Sequence, residues 1–131
     1  MTTSDVPART AGTGALDDML SLSTRADRDG GVTVSATGDI DAYTAPLLRS
    51  VLDSQLRRGR PTAPLVIDLT GVQFLGSAGL AALVETQKAA NARGIDLRLI
   101  ATTRAVTRVL EVTGLVQLFT LSGARDQSPS E

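Results

Sequence analysis

Two short stretches near the start of the chain alternate between apolar and polar residues, as β-strands do. The alternation is weak over residues 19–24 and clear over residues 32–36. Residues 28–31 (Arg-Asp-Gly-Gly) separate them with a turn signal, so the two stretches predict a β-hairpin. Residues 38–41 (Gly-Asp-Ile-Asp) are then expected to form a loop.

Three later segments carry apolar residues at helical spacing. The first is preceded by Thr44 as a candidate N-cap, has Pro46 in its first turn, and is stopped by residues 57–61. The second ends at Gly94, the expected C-cap, and the third begins at Thr103. The residues at helical spacing are Pro46, Leu47, Leu48, Val51, Leu52, Gln55 and Leu56 in the first segment and Leu80, Leu83, Val84 and Gln87 in the second, and the third is expected to turn Val106, Val109 and Leu110 inward.

Short apolar runs between these helices predict the remaining strands. Residues 65–69 form such a run, bounded by Pro64 and residues 70–71, and are typical of a strand buried on both faces. Residues 95–100 predict another strand, and residues 118–121 a short edge strand. The order β-β-α-β-α-β-α-β predicts an α/β fold with one mixed sheet and packed helices. We expect one domain over residues 16–122, between a mobile leader (1–15) and a polar tail (123–131).

Composition removes several functional classes. The chain has no Cys, which excludes disulfides and thiol chemistry, and no His, the commonest general base and metal ligand. A net charge of -1 argues against binding to nucleic acid or to an anionic membrane surface. No apolar run approaches a membrane span, and no signal peptide is evident, so the sequence predicts a soluble cytoplasmic domain. With 2% aromatic residues, the core must be aliphatic.

The candidate chemistry lies at Ser77, within residues 76–79 (Gly-Ser-Ala-Gly). Ser77 is expected at or next to the N-cap of the second helix, where unpaired N–H groups and the helix dipole favour a phosphate. A serine there can equally be an ordinary N-cap. A hydrolase nucleophile elbow is disfavoured because position 75 is Leu, no His is present, and Lys88 lies about three helical turns away. No nucleotide-binding P-loop occurs.

Two carboxylates, Asp39 and Asp41, flank Ile40 in the predicted loop. A pair without a third ligand makes a poor metal site. We therefore expect a solvated, helix-capping or partner-facing loop.

These motifs together resemble the STAS domain of bacterial anti-sigma factor antagonists, over residues 19–121. The resemblance rests on residues 38–41, residues 66–80 (VIDLTGVQFLGSAGL), Gly94 and residues 109–115 (VLEVTGL). It implies a sheet of four or five strands with about three to four flanking helices. It also implies a serine that an anti-sigma factor, itself a serine kinase, phosphorylates. In the family, the unphosphorylated form binds this kinase and frees its sigma factor, phosphorylation breaks the complex, and a phosphatase restores it.

Carried onto this chain, the resemblance implies phosphorylation at Ser77, in a protein without catalysis or cofactor of its own. Asp41 and its loop match the segment beside the acceptor that helps to form the kinase-docking face. The implied partner-binding residues are Asp39, Asp41, Thr44, Gly76, Ser77, Ala78, Gly79 and Leu80.

The chain departs from the family pattern on both sides of Ser77. Gly76 replaces the usual Asp, and Ala78 replaces a second Ser or Thr. Residues 122–125 and the tail also offer little apolar face for the further helix that members often carry. These departures leave open a fixed STAS subunit of a transporter-associated or stress-signalling complex. Ligand or nucleotide binding between Asp41 and Ser77 is a further alternative, although no dedicated residues support it.

Overall fold

The computed structural model describes residues 19–28, 30–58 and 63–122, which form one five-stranded sheet and three α-helices. The order of elements agrees with the sequence prediction, with a 3-10 turn added at Leu115–Gln117. The strands are β1 (Leu20–Ala26), β2 (Val32–Ile40), β3 (Leu65–Leu75), β4 (Leu97–Ile100) and β5 (Thr120–Ser122). The helices are α1 (Ala45–Arg58), α2 (Ser77–Arg93) and α3 (Arg104–Thr113).

The sheet has the strand order β1-β2-β3-β4-β5, with β1 antiparallel to β2 and every other pair parallel. The predicted hairpin and mixed sheet are thus confirmed. Because β2 and β3 are parallel, with Ile40 beside Leu75, they end at the same edge of the sheet. The segments that follow them, which begin at Asp41 and Gly76, therefore meet at this edge. We call it the acceptor edge, after Ser77, the predicted phosphate acceptor.

One aliphatic cluster joins the sheet to the helices, as the low aromatic content predicts. Leu20, Val34, Ile67 and Leu99 are completely buried in the strands. The helices contribute Leu48, Leu52 and Leu56 from α1, Leu83 and Ala90 from α2, and Val106 and Leu110 from α3. Leu80, Val84, Leu47 and Val51 pack against this cluster while partly buried.

Two predicted strand ends were wrong, and glycines inside strands explain both. The predicted loop at residues 38–41 is mostly strand, because β2 continues to Ile40, and β3 continues past Gly71 to Leu75. Gly38 has φ +115° beside the Met19 backbone, and a Cβ on Gly71 would lie 2.7 Å from Thr37 Oγ1. Both glycines accompany register shifts between β2 and β3, so they mark bulges and close backbone approach and not turns.

The remaining differences concern burial and strand starts. In β3 the alternate residues Leu65, Ile67 and Leu69 are buried, whereas Val66 and Asp68 are half-buried, so the second face is only partly covered. The fourth strand begins at Leu97, two residues later than predicted, and the edge strand is shifted to Thr120–Ser122.

The predicted leader (1–15) and tail (123–131) lie outside the described residues. No helix in the described part of the chain has the length and apolarity that crossing a membrane requires.

Candidate functional site

Ser77 is the first residue of α2, and its side chain is exposed at the acceptor edge. Gly76 is the N-cap in extended conformation (φ −92°, ψ −178°), and its carbonyl accepts the first helical hydrogen bond from Leu80 N–H at 3.0 Å. Gly76 N–H donates to the Ile40 carbonyl at 2.8 Å, which ties the start of α2 to the end of β2. The predicted position of Ser77, next to the N-cap, is confirmed.

The ordinary capping role for this serine does not occur. No side chain caps α2, and the Ser77 hydroxyl has no hydrogen-bond partner among the described residues. Helices leave their first N–H groups without internal acceptors. The hydroxyl therefore stands free beside several unpaired backbone donors and the positive end of the helix dipole.

Gly79 brings α2 close to the sheet. A Cβ on Gly79 would lie 2.5 Å from Ile40 Cγ2 and 2.7 Å from Leu75 Cδ1, two side chains of the core. Gly79 is itself buried, whereas Ala78 and Leu80 are half-buried beside it. Gly79 thus serves packing, and the part of residues 76–80 that a partner can touch most freely is Ser77.

Asp41 organises the loop between β2 and α1. Its Oδ1 accepts hydrogen bonds from Tyr43 N–H at 2.9 Å, Thr44 N–H at 3.0 Å and the Thr44 hydroxyl at 3.2 Å. Asp41 N–H donates in return to Thr44 Oγ1 at 3.0 Å, the reciprocal pattern of a capping box. The hydrogen bond from Thr44 N–H is the largest effect on the Asp41 carboxyl, and with the other two it holds the pKa below the ordinary value of 3.8, against desolvation.

Thr44 directly precedes α1, as predicted, and its carbonyl accepts from Leu48 N–H at 3.3 Å. Its side chain is buried and points back into the loop, where the hydroxyl also donates a hydrogen bond to the Asp39 carbonyl oxygen at 2.9 Å. The capping carboxylate is therefore Asp41, one turn earlier than the sequence prediction placed the cap. Thr44 fixes the loop from inside and is not itself available to a partner.

Asp39 completes the set of predicted residues at the acceptor edge. It is half-buried in β2 and pairs with Phe74 of β3 in the sheet register. Within the described residues, no group of three His, Cys, Asp or Glu side chains could hold a metal ion. The expectation that these carboxylates cap the loop is met by Asp41, while partner contact by Asp39 stays a prediction.

A shallow groove between α1 and α2 opens beside Ser77. Its volume is about 270 Å³, and small apolar residues form its floor, with Arg49 and Glu85 also in its lining. The small residues are Ala42, Ala45, Pro46, Ala78, Ala81 and Ala82. The groove shows that the loop after β2 and the first turns of α2 form one continuous surface.

Two exposed aromatic side chains at this edge were missed from the sequence. Tyr43 is 62% exposed and Phe74 is 51% exposed. Phe74 ends an apolar pattern that suggests an inward side chain, and Tyr43 lies in a loop without a periodic pattern. The low aromatic content is a signal that could have drawn attention to them, since the chain has only one Tyr and two Phe.

Lys88 cannot act on Ser77. Both residues lie on the uninterrupted helix α2, and their spacing corresponds to about 16 Å along the helix axis. No base in the described part of the chain is hydrogen-bonded to the serine.

Comparison with known proteins gives a consistent assignment. The family model described as the STAS domain matches residues 23–127. A Mycobacterium tuberculosis protein provisionally named an anti-anti-sigma factor is 34% identical over 94 residues, which are 70% of this chain and 64% of that protein. The chain thus spans slightly less than two thirds of this relative's length. The Mycobacterium tuberculosis anti-sigma-F factor antagonist RsfA is 30% identical over 86 residues, 66% of this chain and 67% of that protein.

A solved structure extends the similarity to the fold. The crystal structure of an anti-sigma factor antagonist from Mycobacterium paratuberculosis has a TM-score of 0.74 and 34% identity, and the match covers 84% of this chain and 91% of that chain. The STAS-like fold predicted from the sequence is therefore confirmed. With a family model that covers most of the chain and relatives that share both sequence and fold, this protein belongs to the STAS domain family.

Proposed function

We propose that this protein is an anti-sigma factor antagonist of the partner-switching type. Its unphosphorylated form binds an anti-sigma factor that is a serine kinase and thereby releases the sigma factor. Phosphorylation of Ser77 ends this binding, and a phosphatase restores it. The observation that carries the proposal is Ser77 itself, exposed and unpartnered at the first position of α2 in a protein whose relatives are named antagonists.

The surroundings of Ser77 suit a reversible phosphate. A phosphate adds nearly two negative charges and three acceptor oxygens at pH 7. The helix N-terminus favours negative charge there by about 0.3–1 kcal/mol at an exposed position, so the modified chain stays folded. A partner surface that closes over a neutral hydroxyl would instead have to bury an unpaired charge. Phosphorylation therefore favours the free protein over the complex without a conformational change.

Mass spectrometry on purified components tests the proposal. The protein is incubated with ATP and each anti-sigma factor kinase encoded in the source genome, and the phosphopeptides are mapped. We expect one phosphate, at Ser77, and none on Ser77→Ala. Ser50→Ala is the matched control, because Ser50 is an exposed serine on α1, away from the helix start. Equal labelling of Ser77→Ala at another residue would refute the site.

A fixed STAS subunit is the second candidate, and the residues around Ser77 favour it. Gly76 and Ala78 stand where the family usually has Asp and a second hydroxyl. A kinase that requires these neighbours would not recognise the serine. Under this alternative, Ser77 remains unmodified in cells under growth and stress, and the protein co-purifies with a larger complex instead of a kinase.

A further inference from the structure

The acceptor edge holds most of the aromatic surface of this chain. Of its three aromatic residues, Phe119 is buried at 6% exposure, whereas Tyr43 and Phe74 are more than half exposed. Tyr43 lies in the loop after β2, and Phe74 lies three residues before Ser77. Apart from Phe119, aliphatic residues fill the core, so the packing of the core depends little on the two exposed aromatic side chains.

Phe74 is held against the backbone that leads to Ser77. A Cβ on Gly76 would lie 3.1 Å from Phe74 Cε2 and 3.3 Å from Phe74 Cζ. The ring therefore occupies the space beside position 76, where the family usually has an aspartate. With Gly at position 76 this charge is absent, and the Phe74 ring lies beside the backbone there.

Two carboxylates neighbour these rings. Asp39 pairs with Phe74 across the strands, and Asp41 lies two residues before Tyr43. The cation that lines the neighbouring groove, Arg49, is paired with Asp53 at 2.9 Å. A complementary surface would combine apolar pockets for the rings with a cationic group for the carboxylates.

We infer that Phe74 and Tyr43 are the apolar anchors by which this protein binds its anti-sigma factor kinase, on a surface that offers apolar pockets and a cationic group. The inference rests on the proposed function and adds the residues that set affinity and partner choice. Buried aromatic side chains at the centre of an interface commonly dominate its affinity, and surrounding contacts exclude water. Tyr43 lies in the loop that follows β2, and Phe74 lies in the strand that leads to Ser77. Both segments meet at the acceptor edge, so a kinase that seats both rings covers the edge that carries Ser77.

Calorimetry with the purified kinases in the presence of ADP tests the anchors without phosphorylation. We expect Phe74→Ala and Tyr43→Ala each to weaken binding about tenfold or more. Val112→Ala is the matched control, because Val112 is 75% exposed near the end of α3, and it should change the affinity less than twofold. Circular dichroism melts establish that each variant is folded, and the two aromatic variants test the inference independently.

The outcomes separate the inference from the proposed function. Ser77 phosphorylation with unchanged affinity of both aromatic variants overturns the anchors alone. Weakened binding of both variants without Ser77 phosphorylation supports the anchors and overturns the switch. No binding by any of the kinases overturns both. If sedimentation shows a wild-type dimer that Phe74→Ala dissociates, the aromatic surface binds a second copy of this chain, and the inference is overturned.

Discussion

Two glycines on either side of Ser77 have different physical roles. Gly79 is enclosed by Ile40 and Leu75, and the missing side chain lets α2 approach the core. Gly76 faces the half-exposed ring of Phe74, and its backbone angles are accessible to any residue. Gly79 is therefore required for packing. Gly76 is not, and it instead affects the surface that a partner contacts.

Alanine substitutions should separate these roles. We expect Gly79→Ala to lower the free energy of unfolding by roughly 2 kcal/mol, because the new methyl group overpacks the core at 2.5 Å from Ile40 Cγ2. A gain in helix propensity of up to about 1 kcal/mol offsets only part of this cost. Gly76→Ala should cost at most about 1 kcal/mol, since the Phe74 ring can rotate towards solvent. Urea denaturation measures both, and equal stabilities of the two variants would contradict the packing role.

At the scale of the elements, Asp41 fixes how α1 begins. Its carboxylate and the Thr44 side chain satisfy each other's backbone N–H groups, so the loop has a defined shape before any partner binds. A preordered loop loses less conformational entropy on binding than a mobile one. The same contacts lower the pKa of the Asp41 carboxyl, with the Thr44 N–H as the largest cause.

This lowered pKa makes one part of the stability depend on acid. Because the folded pKa lies below 3.8, the carboxylate stabilises the fold above pH 3.8, and the contribution is lost as the pH falls through the folded pKa. Asp41→Asn should therefore melt at a lower temperature than the wild type at neutral pH, and the difference should shrink in acid. Asp39→Asn is the control, since the Asp39 carboxylate has no hydrogen bond within the described ranges. Calorimetric melts that show a pH-independent difference for Asp41→Asn would contradict this account.

The sequence predicted the elements better than their ends or their surfaces. Alternation and helical spacing were enough for the element order, and Gly94 was correctly assigned as the C-cap, with φ +72°. Strand ends failed at Gly38 and Gly71, because a glycine in a bulge has the same local signature as one in a turn. The exposure of Phe74 was not predictable, because Gln73 and Phe74 are both exposed and interrupt the alternation of buried and exposed residues at the end of β3. The reciprocal pair Asp41 and Thr44 could have been found from its spacing alone.

At the scale of the whole molecule, α1 and α2 carry cations at the edge of the sheet opposite to Ser77. α1 and α2 both begin at the acceptor edge, where Asp39 and Asp41 lie, and both end at the opposite edge with Arg57, Arg58 and Arg93. Cations at helix C-termini are favourable for the same dipole that favours anions at the N-termini. A phosphate on Ser77 thus meets the favourable end of α2, and we expect its effect on a partner to be confined to the acceptor edge.

A Ser77→Glu variant tests whether the charge acts locally. We expect changes in backbone amide chemical shifts in the first turn of α2 and the loop after β2, because Gly76 N–H joins these segments through the Ile40 carbonyl. Residues 30–31, between β1 and β2, and the last turns of α1 and α2 lie at the opposite edge and should keep their shifts. Ser50→Glu, on the exposed face of α1, is the charge-matched control and should perturb α1 alone. A contrary result would be weakened kinase binding by Ser77→Glu together with shift changes that extend to the opposite edge. The charge would then act by rearranging the fold, and repulsion at the docking surface would not be a sufficient mechanism.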